Sequence, residues 1–144
     1  MQSNISTETQ DYIISALMSD SYLLAKVRRL MDETYFNDAA CKIIYKSLLV
    51  YYLKYKTVPG TQELLITIDE CFVEMGVDLL SVKDKACKLM AQKDKIDEKF
   101  MMTQIKNFIS KVNMSRNLSQ FFDKLKNNPN QYSTDDLYDT VIVS

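Results

Sequence analysis

Only two glycines and two prolines punctuate 144 residues. An all-β fold needs frequent turns, and turns draw on glycine for positive φ and on proline for a preset φ. So few of either predicts long helices joined by a handful of tight connections. Hydrophobic residues make up 47% and charged residues 26%. That balance excludes a disordered chain and leaves enough apolar surface for a core without disulfide or metal staples. The expected class is all-α: a small helical bundle followed by a long helix and a helical hairpin.

The apolar residues recur at three- and four-residue intervals, which marks helical faces. Thr7 with Gln10 reads as a capping box, a reciprocal arrangement that satisfies free amides at a helix start. A first helix then carries Ile13, Ile14, Leu17 and Met18. Ser19-Asp20-Ser21 breaks it and caps a second helix bearing Leu23, Leu24, Val27, Leu30 and Met31. Lys26, Arg28 and Arg29 read as its solvated face. Tyr35-Phe36 forms an apolar plug, and Asn37-Asp38 caps a third helix over about residues 38–56. Ile43, Ile44, Leu48, Leu49, Tyr51, Tyr52 and Tyr55 cover more than one of its faces. A helix apolar most of the way round belongs at the centre of a bundle, with tyrosine hydroxyls reaching water at its edge. Val58-Pro59-Gly60 ends it, Thr61 is the expected cap of a fourth helix, and Gly76 its expected left-handed stop. The fifth, over about 78–92, carries Leu79, Leu80, Val82, Ala86, Leu89 and Met90.

After the polar run Gln92-Lys93-Asp94-Lys95, Asp97 caps the longest helix, expected over about 98–127. At ~100° per residue, Met101, Ile105, Phe108, Ile109 and Val112 share one side. Leu118, Phe121, Phe122 and Leu125 cluster roughly 130° away. One partner cannot bury both stripes. The first half is expected to pack on the bundle and the second to meet something else. Asn127-Asn128-Pro129-Asn130 is a turn signal, and Ser133 with Asp136 caps a closing amphipathic segment with Leu137, Val141 and Ile142. The expected organisation is a globule over 1–95 and a long helix with hairpin over 96–144. The candidate interaction residues are Leu118, Phe121, Phe122, Leu125, Leu137 and Val141. Either the stripe is an association surface, or Leu137, Tyr138 and Val141 cover it within the chain.

Residues that carry chemistry are sparse. There is no His, no GxxxxGK[ST] or GxGxxG loop, and no DxDxDG calcium loop. Cys41, Cys71 and Cys87 are far apart and read as buried free thiols. They suit a reducing cytoplasm. The N-terminus lacks the basic start and apolar run of a signal peptide, and no stretch approaches the ~20 apolar residues of a membrane span. Asp69-Glu70 and Asp135-Asp136 diverge on a helix and read as solvated or capping. Catalytic, cofactor and metal residues are expected to be none. With a net charge of −1, no global basic field attracts nucleic acid, so DNA contact is expected to be local and weak or absent. Lys83, Lys85 and Lys88 make one weak basic face.

Several of these positions resemble the N-terminal domain of DnaB-type replicative DNA helicases, bacterial or phage. The resemblance lies in Asp11-Tyr-Ile-Ile-Ser-Ala-Leu-Met-Ser-Asp20, Tyr35-Phe-Asn-Asp38, Ile43-Ile-Tyr45, the Val58-Pro59 turn and Leu64-Leu65. The order of globule, long helix and hairpin extends it over nearly the whole chain. Family members often carry a His leading into the central helix, where this chain has Ala40-Cys41. The resemblance implies a collar on one face of a ring-shaped hexamer, self-association through helical hairpins, and docking of primase and a helicase loader. ATP and magnesium would belong only to a motor segment beyond Ser144, where the apolar pattern stops short. A phosphate-loop motif downstream would agree with this; a stop codon there would favour the alternative, a stand-alone helical adaptor that binds a replication partner. A DNA-binding helical domain is a second alternative, which the net charge argues against.

Overall fold

Short acceptor side chains meet free backbone amides at most helix starts, and these starts set the architecture. The computed structural model describes residues 5–127. Among them stand six α-helices and no strand: α1 (Thr7–Ser19), α2 (Ser21–Val27), α3 (Ala39–Tyr55), α4 (Thr61–Cys71), α5 (Leu79–Gln92) and α6 (Glu98–Asn127). Single 3-10 turns lie at Glu33–Tyr35 and Lys93–Lys95. The chain is all-α. The hairpin expected after Asn127, with Leu137 and Val141, lies outside the described residues.

Asp20 accepts from the amides of Tyr22 and Leu23, Asp38 from Cys41, Asp78 from Ser81 and Asp97 from Phe100. These carboxylates satisfy amides that a helix leaves without internal partners. Three expectations about helix ends are corrected. α1 is capped by Ser6, whose hydroxyl accepts from the Thr9 amide at 3.2 Å, and not by Thr7. Thr61 is the first residue of α4 rather than its cap. Gly60 holds the cap position without a side-chain bond, and Glu63 folds over it so closely that a Cβ at Gly60 would meet Glu63 Oε2 at 2.7 Å. α4 also stops at Cys71, well before Gly76. Its buried side chains end at Ile68, and beyond the helix Val73 and Met75 are exposed. Gly76 does take a positive φ of 87°, within the connecting loop.

α3 packs against α1, α2, α4 and α5. Ile44, Tyr45 and Leu48 are fully buried, together with Ile13, Ile14, Leu17 and Met18 from α1 and Leu64 and Ile68 from α4. The Tyr45 hydroxyl donates to the Met31 carbonyl at 2.8 Å, and its ring lies 5.2 Å from that of the buried Phe36. α5 contributes Val82, Ala86, Leu89 and Met90, but Leu80 is 70% exposed and Leu79 only half-buried. The apolar stripe of α5 is therefore narrower than its sequence indicates.

Residues Ile5–Ile105 form one compact unit, and the chain from Lys106 onward belongs to a second. The division falls inside α6, a continuous helix of 30 residues and so about 45 Å long. Met101 and Ile105, on its first turns, are buried. The ring of Phe100 meets that of Tyr12 edge-on at 5.4 Å.

Gln10 is pulled wholly into the first unit. Its amide nitrogen donates to the Ile5 carbonyl at 3.0 Å and to Asn37 Oδ1, while its carbonyl oxygen accepts from the amides of Asn37 and Asp38 at 3.1 Å each. One side chain thus ties the start of α1 to the start of α3. Gln10→Leu keeps the volume and strands two backbone amides, each worth about 1–3 kcal/mol if left unpaired. A loss of about 2–4 kcal/mol in urea unfolding is expected at neutral pH. A loss under 1 kcal/mol would mean that water replaces the clamp.

Candidate functional site

Three helices bring four polar side chains together. α1 supplies Asp11, the cap of α3 supplies Asp38, the first turn of α3 supplies Cys41, and α5 supplies Lys85. The Lys85 ammonium stands 2.9 Å from Asp11 Oδ1 and 3.2 Å from Asp38 Oδ2. The buried Cys41 thiol donates to Asp11 Oδ1 at 3.2 Å. Asp38 Oδ2 also accepts from the Cys41 backbone amide at 3.0 Å, so its carboxylate serves as both cap and ion-pair partner.

The environment sets the charge states. Burial alone would raise Asp38; the Cys41 amide, the Cys41 side chain and Lys85 outweigh it and hold the carboxyl below its ordinary value. Burial alone would lower Lys85; the hydrogen bond to Asp11 and the charges around it hold the ammonium above its ordinary value. Burial, followed by the charges of Asp38 and Asp11, pushes the Cys41 thiol far up, so it stays protonated at neutral pH.

Asp11, Asp38 and Cys41 place three ligand-type atoms within 4.8 Å of one another. A divalent ion here would have to displace the ammonium already held by both carboxylates and deprotonate a thiol that its neighbours keep neutral. The donor set therefore suits a hydrogen-bonded clamp of α1, α3 and α5 better than a metal centre. The same protonation state denies Cys41 a nucleophile's reactivity.

This cluster is invisible in sequence order, because its members lie as far as 74 positions apart along the chain. It overturns the reading of Lys83, Lys85 and Lys88 as one basic face. Lys85 points into the clamp and Lys83 pairs with Asp69 at 2.6 Å, which leaves Lys88. The thiols are corrected too: Cys41 is buried, Cys71 half-buried and Cys87 exposed.

On α6, the interaction residues expected from sequence differ among themselves. Phe121 is buried, Leu118 and Leu125 are half-buried, and Phe122 is 48% exposed, its ring 6.2 Å from that of Phe121. Met114 is also exposed. Leu137 and Val141 lie outside the described residues. No helix among the described residues is long and apolar enough to cross a membrane. Comparison with models of protein families, with curated proteins and with solved structures finds no match.

The clamp makes stability depend on pH at both ends. The depressed Asp38 contributes stability that is present above its ordinary 3.8 and is lost as pH falls through its lower folded value. The raised Lys85 contributes stability that is present below its ordinary 10.5 and is lost as pH rises through its higher folded value. Lys85→Met should cost about 1–2 kcal/mol at pH 7, less than the 3–5 kcal/mol of a fully buried pair, since these side chains are about a quarter exposed. The gap between variant and parent in urea unfolding should shrink once Asp38 is protonated. A gap that is the same at neutral and strongly acidic pH would refute the clamp.

Proposed function

We propose that this chain is a non-catalytic assembly and docking module of DNA replication: the collar domain of a ring-shaped, DnaB-type helicase. In this reading it works in the cytoplasm, associates with copies of itself, as a dimer or within a hexamer, and offers a surface to primase and to a helicase loader. ATP and magnesium serve only a motor segment beyond Ser144. The observation that carries the reading is α6. It is a 30-residue helix whose apolar residues change sides, with Phe108 and Val112 buried on one stripe and Phe122 exposed on the other. A large exposed aromatic on a helix of this length is a ready contact for a second helix.

Two further features support it. The residues that resemble the helicase family include Ile13, Ile14, Leu17, Met18, Phe36, Ile43, Ile44 and Tyr45, and these are buried core positions. They would specify a shared globule rather than a shared reaction. The one titratable cluster described above is satisfied internally, which suits a structural role.

Light scattering on the whole chain tests the reading. Self-association is expected at high concentration, weakened at least about tenfold by Phe122→Asp or Leu125→Asp, since burying a large apolar side chain is worth about 1.5–3 kcal/mol. Phe122 is exposed, so its replacement should leave the helical circular dichroism intact. A monomer at every concentration, indifferent to both substitutions, would remove hairpin-mediated assembly.

A further inference from the structure

The net charge of −1 conceals an acidic stretch. Residues 61–82 hold Glu63, Asp69, Glu70, Glu74 and Asp78 and not one Lys or Arg. Two of these acids are already engaged: Asp69 pairs with Lys83 at 2.6 Å, and Asp78 caps α5. Glu63 and Glu70 are exposed and make no ion pair among the described residues. Seven positions separate them, so they share one face of α4 and stand about 10 Å apart along its axis. Glu70 lies in the last turn of α4, which holds no basic residue, so the negative end of the helix adds to its carboxylate.

That face of α4 and the C-terminal half of α3 border a groove of about 220 Å³. Tyr51 and Tyr55 line it from α3, their ring centres 4.6 Å apart, and Ile66 lines it from α4, between the two glutamates. Tyr55 is 61% and Ile66 60% exposed, so the fold leaves the groove uncovered. The buried Thr67 hydroxyl in its lining donates to the Glu63 carbonyl at 2.8 Å and is satisfied there. Lys54, exposed on the α3 side, is the one cation among the lining residues. An α-helix with its side chains is about 10 Å wide and would not enter a groove of this volume, whereas an extended chain of methylenes would.

We infer that the groove between α3 and α4 binds a linear polyamine of spermidine's length. Nine bonds separate the terminal nitrogens of spermidine, which at full extension places two ammonium groups about 11 Å apart. That length matches the run from Glu63 to Glu70. Each end gains a charge-assisted hydrogen bond to a carboxylate. The methylenes between them lie over Ile66, and the tyrosine rings offer their negative faces to the ammonium groups. Lys54 opposes the ligand's charge, and the two carboxylates with the two rings outweigh it. A metal dication has neither the apolar stem nor the reach, so it meets one carboxylate at a time. The inference uses no residue of α6 and is independent of the collar reading.

Isothermal titration calorimetry on the whole chain at low salt, with spermidine, 1,8-diaminooctane, 1,3-diaminopropane and magnesium chloride, decides the matter. Spermidine and 1,8-diaminooctane, equal in length, should both bind. 1,3-Diaminopropane, with about 5 Å between its nitrogens, and magnesium should bind about tenfold more weakly or not at all, since neither spans both carboxylates. Glu63→Gln with Glu70→Gln should weaken spermidine binding by about tenfold or more. Glu8→Gln with Glu98→Gln, the same charge change at exposed positions off this groove, should retain most of the affinity. Tyr55→Ala should weaken binding by about threefold or more, and Lys54→Gln should strengthen it. Circular dichroism confirms that each variant is folded. The inference is overturned if spermidine does not bind at low salt, if affinity is indifferent to the spacing of the nitrogens, or if the two double variants lose affinity equally. It is also overturned if magnesium binds as tightly as spermidine, or if a basic helical peptide occupies the groove while spermidine does not.

Discussion

A helix with apolar side chains on most of its circumference cannot rest on a surface; it has to be enclosed. α3 is that helix, and the arrangement of the first unit follows from enclosing it. α1 and α2 cover one part of it, α4 and α5 another, and the 3-10 turn at Glu33–Tyr35 closes the end where Tyr45 is buried. Burying this much apolar surface stabilises the unit only if the backbone polar groups at the helix starts are also satisfied. The acidic caps and the Gln10 amide meet that condition, and they aim the helices at α3 as they do so.

The same enclosure sorts the charges. Where α1, α3 and α5 converge there is room for a partly desolvated ion pair, and Lys85 balances two carboxylates there while Cys41 remains a thiol. Further along, Lys46 and Lys54 are exposed, and neither makes an ion pair among the described residues. One helix therefore carries a neutralised cluster at its N-terminal end and exposed lysines further along. The cluster rigidifies the bundle.

α6 answers to different constraints. Its charged and polar residues leave two apolar stripes too far apart in angle for one neighbour to bury both. Met101 and Ile105 belong to the unit built around α3, and the boundary between units follows directly after them. Beyond that boundary Phe121 is buried and Phe122 exposed, so two adjacent aromatics on one helix meet different surroundings.

What the sequence determined by itself was local. Scarce glycine and proline with apolar periodicity imply an all-α chain, and the Asp20, Asp38 and Asp97 caps, the central place of α3 and the change of side along α6 are all readable from spacing. These depend on neighbours within one or two helical turns, which is the range over which spacing carries information. The tertiary structure decided whatever depends on distant residues meeting. Gln10 reads as half of a capping box because its short-range geometry allows it; the fold instead spends it on Asn37 and Asp38, since a buried amide needs partners and these amides were unpaired. Lys85 reads as part of a basic face with Lys83 and Lys88, and only the convergence of α1, α3 and α5 puts it between two carboxylates. Charge and hydrogen-bond partnership are properties of position in space, and position in space is what a single chain of letters leaves unstated.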